Sequence, residues 1–137
     1  MKYRQILNHR PAMKFRYVFY TPLVFFQFIP IVILDLSLEI YHQIGFRLMG
    51  IPCLDRKNFI RMDRHKLSYL TWYEKIGCAY CGYVNGWFRY ASAIAGETEK
   101  YWCGIMHKKY NGFKPPEHHA DYLPFGDEKA FDEFVKK

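Results

Sequence analysis

The sequence predicts a mainly α protein, with an N-terminal membrane helix followed by a small metal-stapled helical domain. Three observations carry that prediction. Residues 17–34 are apolar and uncharged. Val84, Trp87, Phe88, Ala91, Ile94, Ala95, Thr98 and Trp102 recur at helical spacing. Cys78 and Cys81 are spaced C-x2-C, while Cys103 and His107 are spaced C-x3-H. Three thiols and one imidazole make a complete tetrahedral donor set.

Composition narrows the class. The chain has 137 residues, enough for one small domain and an anchor. With 20% aromatic residues it is too aromatic for a disordered chain. The net charge of +7 suits either nucleic acid or an anionic membrane face, and its placement decides between them. Lys2, Arg4, Arg10, Lys14 and Arg16 precede the apolar run, and Arg56, Lys57, Arg61, Arg64 and Lys66 come after it. Charge flanking an apolar segment is the membrane pattern, so lipid is the expected partner and nucleic acid is not. The cysteine spacings suit metal better than disulfides and imply reduced thiols.

Three regions follow in order: a basic tail (1–16), a membrane-embedded and amphipathic helix (17–50), and a metal-binding domain with a C-terminal tail helix (51–137). At ~1.5 Å per residue the apolar run spans about 27 Å as a helix, close to the hydrocarbon thickness. Pro22 and Pro30 interrupt it, with Pro30 placed to kink it, so a re-entrant or interfacial segment competes with a full span. A cleaved signal peptide is disfavoured, because Asp35, Ser37 and Glu39 follow where small residues would be needed. A core helix of a soluble domain is the remaining alternative.

Asp35, Glu39, His42, Gln43 and Arg47 share one face of the continuing helix, with Leu36, Leu38, Ile40, Ile44 and Leu48 elsewhere on its surface. That predicts an amphipathic helix lying at the membrane interface or packed on a partner, stopped by Gly50, Ile51 and Pro52. His42 beside Asp35 and Glu39 reads either as a relay or as part of a plain polar stripe.

Gly77 is expected to break the chain before the first cysteine pair. Cys78, Cys81 and Gly82 then read as a metal knuckle, with Gly82 supplying the left-handed backbone of its turn and Asn85-Gly86 a turn or cap. If the following helix continues far enough, Cys103 and His107 point the same way at i and i+4. Zinc is the expected ion, in a closed structural shell. Iron is the alternative, as a single rubredoxin-like ion or an iron–sulfur cluster with Cys53 replacing or joining His107. Glu97 and Glu99 read as outer acceptors, as ligands to a second metal, or as a solvated face beside Lys100. His118 and His119 read as a surface metal-binding pair or as two exposed histidines. Asp127 is the expected cap of a last short helix carrying Ala130, Phe131 and Phe134.

The run IRMDRHKLSYLTWYEKIGCAYCGYVNG and the later GETEKYWCGIMH resemble a family of short, uncharacterised bacterial proteins, in which an apolar N-terminal segment precedes a YCGY…YWC…KH core. The resemblance covers about residues 40–110. It implies a bacterial origin and Cys78, Cys81, Cys103 and His107 as shared positions, and it carries no activity. The chain departs from it at Gly96 and Gly104, where the resemblance implies a bulkier residue and a proline.

The functional expectation is a membrane-anchored, zinc-stabilised accessory or interaction protein, a small subunit working with other membrane proteins. A membrane-bound iron electron carrier and a membrane-associated metalloenzyme are the alternatives. No catalytic constellation emerges, which favours a protein that is not an enzyme. The expected place is the bacterial inner membrane with the metal domain on the cytoplasmic side. A full span from a basic cytoplasmic N-terminus would instead put the thiols outside, where they would oxidise.

Overall fold

The computed structural model describes residues 11–136, with side chains from Val18 onward. Most of the basic tail expected over 1–16 therefore lies outside the described residues, and the backbone is helical from Pro11. The protein is mainly helical. Among the described residues there is no strand, only an isolated bridge between Ile105 and Leu123.

The apolar run belongs to a long helical line made of α1 (Pro11–Phe26), α2 (Phe28–Ile40), a π-helical turn (Tyr41–Gly45) and α3 (Phe46–Met49). The interruption falls at Gln27, ahead of Pro30. Pro30 thus sits in the first turn of α2, where the N–H it lacks would have had no helical partner. The Tyr80 hydroxyl donates to the Val24 carbonyl at this break, at 2.7 Å. The line ends as its glycine predicts. Gly50 adopts φ +68°, its N–H reaches Arg47 O, and Ile51 N donates to Phe46 O at 2.8 Å. Ile51 and Phe46 also join one apolar cluster, which completes a Schellman-type cap.

The second long element is α4 (Trp72–Trp102), a single 31-residue helix. It starts well before residue 84, where the apolar spacing placed the helix. Its N-terminus is closed by a capping box in which the Glu74 carboxylate accepts from Thr71 N at 2.9 Å and from Thr71 Oγ1 at 2.8 Å. Gly77, Gly82 and Gly86, read from sequence as a break, a knuckle and a turn, all lie inside this helix.

The two long elements run in the same direction. Phe25 meets Tyr80 at a ring separation of 5.0 Å, Phe28 meets Tyr83 at 5.6 Å, and His42 meets Tyr90 at 5.6 Å. Tyr41 Oη and Thr98 Oγ1 pair at 2.9 Å near the far end. Parallel packing obliges the connector 51–71 to travel back along α4, and it lies over Gly82 and Gly86. A Cβ on Gly82 would stand 2.9 Å from Arg61 O, and one on Gly86 would stand 2.8 Å from Ile60 Cα. These glycines therefore serve close approach of a backbone, rather than a left-handed turn. The apolar core is small: Phe46, Ile51, Tyr90 and Ile94, with Leu38, Leu54 and Phe59 packed against it.

After α4 the chain turns at Gly104 (φ +61°), a conformation closed to proline. Leu123 N donates to Gly104 O and Met106 N donates to Leu123 O, which ties the tail to the end of α4. A 3-10 turn (Glu117–Asp121) and α5 (Glu128–Val135) complete the chain. Asp127 caps α5 by accepting from Ala130 N at 3.0 Å.

Candidate functional site

Two groups of polar side chains stand out, one along the helix pair and one at the end of α4. The first is a seam between α2–α3, the connector and α4. Asp35 and Glu39, one turn apart on α2, both face the Arg56 guanidinium. Arg56 donates from both terminal nitrogens to Asp35 and from Nη1 to Glu39 at 3.4 Å. Tyr83 donates to Asp35 Oδ2, Tyr90 to Glu39 Oε2 at 3.1 Å, and Gln43 to Glu39 Oε1 at 2.8 Å.

His42 closes the seam, fully buried within the π-helical turn. Its Nε2 accepts from the Leu54 backbone N–H at 2.9 Å. The proton of the neutral ring must then be on Nδ1, which lies 2.9 Å from Tyr90 Oη. Tyr90 thus accepts from His42 and donates to Glu39, so every polar atom of that chain is paired. The acids and His42, read from sequence as a polar stripe of a helix at the membrane interface or on a partner, face α4 and the connector of the same chain.

The outer face is correspondingly apolar. Phe26, Ile29, Ile33, Leu36, Ile40, Ile44 and Leu48 follow one another at three- and four-residue steps, and all are exposed. The four-residue steps continue through Ile40, Ile44 and Leu48 across the π turn, which keeps them on one side. On the far side of the pair, α4 presents Cys81, Asn85, Phe88, Arg89 and Ser92.

The structure separates the four predicted metal ligands. Cys78 and Cys81 lie one turn apart inside α4, the first half-buried and the second exposed. Cys103 caps the other end of the same unbroken helix, about seven turns and roughly 37 Å away. Cys103 and His107 do not share a helix either, because the chain has turned at Gly104 between them. The closed thiolate–imidazole shell, for zinc or for iron, is therefore not assembled within one chain. Cys53 is exposed, with its thiol 3.8 Å from His42 O.

His107 instead joins the second group, with Glu99, His118 and His119. Glu99 lies in the last turn of α4, accepts hydrogen bonds from His118 and His119, and has His107 nearby. His118 Nε2 is 2.8 Å from Oε2, His119 Nε2 is 3.1 Å from Oε1, and His107 Nε2 is 3.9 Å from Oε1. Donor atoms of Glu99, His107 and His119 all lie within 4.8 Å of one another.

His118 and His119 are not an exposed surface pair. His119 keeps 2% of its surface, its ring stacked on Tyr122 at 4.7 Å, and its Nδ1 is buried without a hydrogen-bond partner. The His118 ring occupies the space above Gly96, where a Cβ would stand 3.0 Å from its Nδ1. That gives Gly96 a steric reason. The His118 hydrogen bond holds the Glu99 carboxyl below the usual carboxylate range, against a smaller opposing effect of burial and with help from His119. Burial raises the Tyr122 hydroxyl, and the Glu99 carboxylate adds to it. Glu97 pairs with Lys100 at 2.7 Å, the solvated arrangement expected of a helix face.

Comparison with protein families, with curated proteins and with solved structures finds no match to this chain.

Proposed function

We propose that the protein is a membrane-anchored accessory or interaction protein, held on the bilayer by the outer face of α1–α3. The observation that carries this reading is the inside-out character of that helix line. The most apolar 18-residue stretch of Val18–Met49 has a mean hydropathy of 2.1 with only 11% of it buried, while the acids and His42 of this line point inward and are paired. Ionisable groups turned to the protein interior with apolar groups turned out is the arrangement lipid selects. In water, each exposed Leu, Ile or Phe forgoes roughly 1.5–3 kcal/mol of burial.

The same geometry favours an in-plane anchor over a full crossing. From Phe25 to Tyr41 the line is accompanied by α4, whose opposite side carries Asn85, Arg89 and Ser92 around one exposed aromatic ring, Phe88. An in-plane helix sinks its apolar face into the acyl boundary and keeps its other side toward water. Both ends of the chain and all the cysteines then stay on one side, which removes the topological conflict posed by a span. The connector basics Arg61, Arg64 and Lys66 suit anionic headgroups.

Partition decides the question. Full-length protein is expected to float with anionic vesicles without detergent, and Ile33→Asp with Ile40→Asp to abolish flotation while helical circular dichroism is kept. A wild-type protein that is monomeric and detergent-free in solution, and stays at the bottom of the gradient, would sink the anchor. Extraction by alkaline carbonate is expected of an in-plane helix, and resistance to it would restore the span.

A further inference from the structure

We infer that Glu99, His107 and His119 form an open-shell site for a divalent ion of the zinc class, clamping the end of α4 to the C-terminal tail. Donors at about 2.1 Å from a tetrahedral ion lie about 3.4 Å apart. His119 Nε2 already stands 3.1 Å from Glu99 Oε1, and His107 Nε2 stands 3.9 Å from the same oxygen. Only His107 has to close in on that oxygen, and its side chain is exposed.

The other two donors are held in place. Glu99 is fixed by the helix and by His118 on its second oxygen, which would remain the outer hydrogen bond that orients a ligating carboxylate. His119 is packed on Tyr122. Its Nδ1 has no partner in either tautomer, so moving the proton there when an ion takes Nε2 creates no new orphan.

Two imidazoles and one carboxylate are a borderline donor set, suited to zinc or cobalt and poorly suited to magnesium or calcium. Three protein donors leave a position for water or an exchangeable ligand. His107 and His119 both line a cleft of about 530 Å³ that also holds Lys109, Tyr110 and Phe113. This inference does not depend on the membrane reading, and its test uses no membrane partition.

Cobalt titration of the purified full chain in detergent tests the assignment. One ion per chain is expected, with visible d–d bands and no thiolate-to-metal charge-transfer band. Glu99→Gln and, separately, the exposed His107→Ala are expected to weaken binding at least ~100-fold. Cys78→Ser and Cys103→Ser should leave it unchanged. Added azide should shift the visible bands by entering the free position. Binding that survives both Glu99→Gln and His107→Ala, absence of binding, or a charge-transfer band lost in a cysteine variant would each overturn the site. Bands unmoved by azide would overturn its open shell.

Discussion

Replacing Arg56 by methionine is expected to destabilise the protein by about 2–4 kcal/mol, read as a lowered midpoint in chemical unfolding. The loss comes from what remains. Asp35 is left with 11% of its side chain exposed and no cation, and Glu39 loses its only charged partner among the described residues. Arg56 itself keeps 35% of its side-chain surface, so solvent screening holds the effect below that of a fully buried pair. Asp35→Asn alone should cost less, since Tyr83 and Arg56 can still donate to the amide oxygen. The double variant should cost less than the sum of the two singles, because the orphaned carboxylate is gone. Strict additivity would show that the pair is not coupled, and with it the inward seam would fall.

Gly86→Ala is expected to lower stability, against helix propensity. Alanine should add about 1 kcal/mol in a helix interior. Here its Cβ would stand 2.8 Å from both Ile60 Cα and Phe59 O, which are backbone atoms with no rotamer to move. Overpacking of that kind costs about 1–3 kcal/mol, and the displaced connector also carries Arg56. Gly77→Ala supplies the contrast, since nothing lies within 4 Å of its added Cβ. It should stabilise by roughly 0.5–1 kcal/mol. Equal effects at the two positions in thermal unfolding would show that the connector does not rest on α4.

Legibility from sequence follows the range of the signal. The apolar line, its stop at Gly50 and the cap at Asp127 depend on neighbours a few residues away, and all three are visible in the string of residues. The polar face Asp35–Glu39–His42 is visible as a face too. Its direction is not, because its partners Tyr83 and Tyr90 lie about fifty residues further on. The first half of α4 was hidden by Cys78, Cys81 and Gly82, whose spacing imitates a knuckle. The Thr71-x-x-Glu74 box was the local signal that a helix starts there. The cluster around Glu99 joins a helix end to a proline-rich stretch about twenty residues away. Glu99, His118 and His119 each read from sequence as candidate metal ligands, but their meeting shows only in Gly96, a small residue where the His118 ring needs room.

The shared direction of the two long helices has a consequence for the order of assembly during synthesis. The residues that pair across them are separated by 48 to 57 positions along the chain. At ~5–20 residues per second, α2 leaves the ribosome on the order of 3–10 s before the part of α4 that covers it. No hairpin can form in the meantime, since the connector must first double back. For those seconds the nascent helix line has an apolar side and an unpartnered acidic side. A nearby bilayer can take up the first at once, leaving Asp35 and Glu39 toward water until Arg56 and then α4 arrive. On this account the membrane surface would act as the template on which the second helix docks.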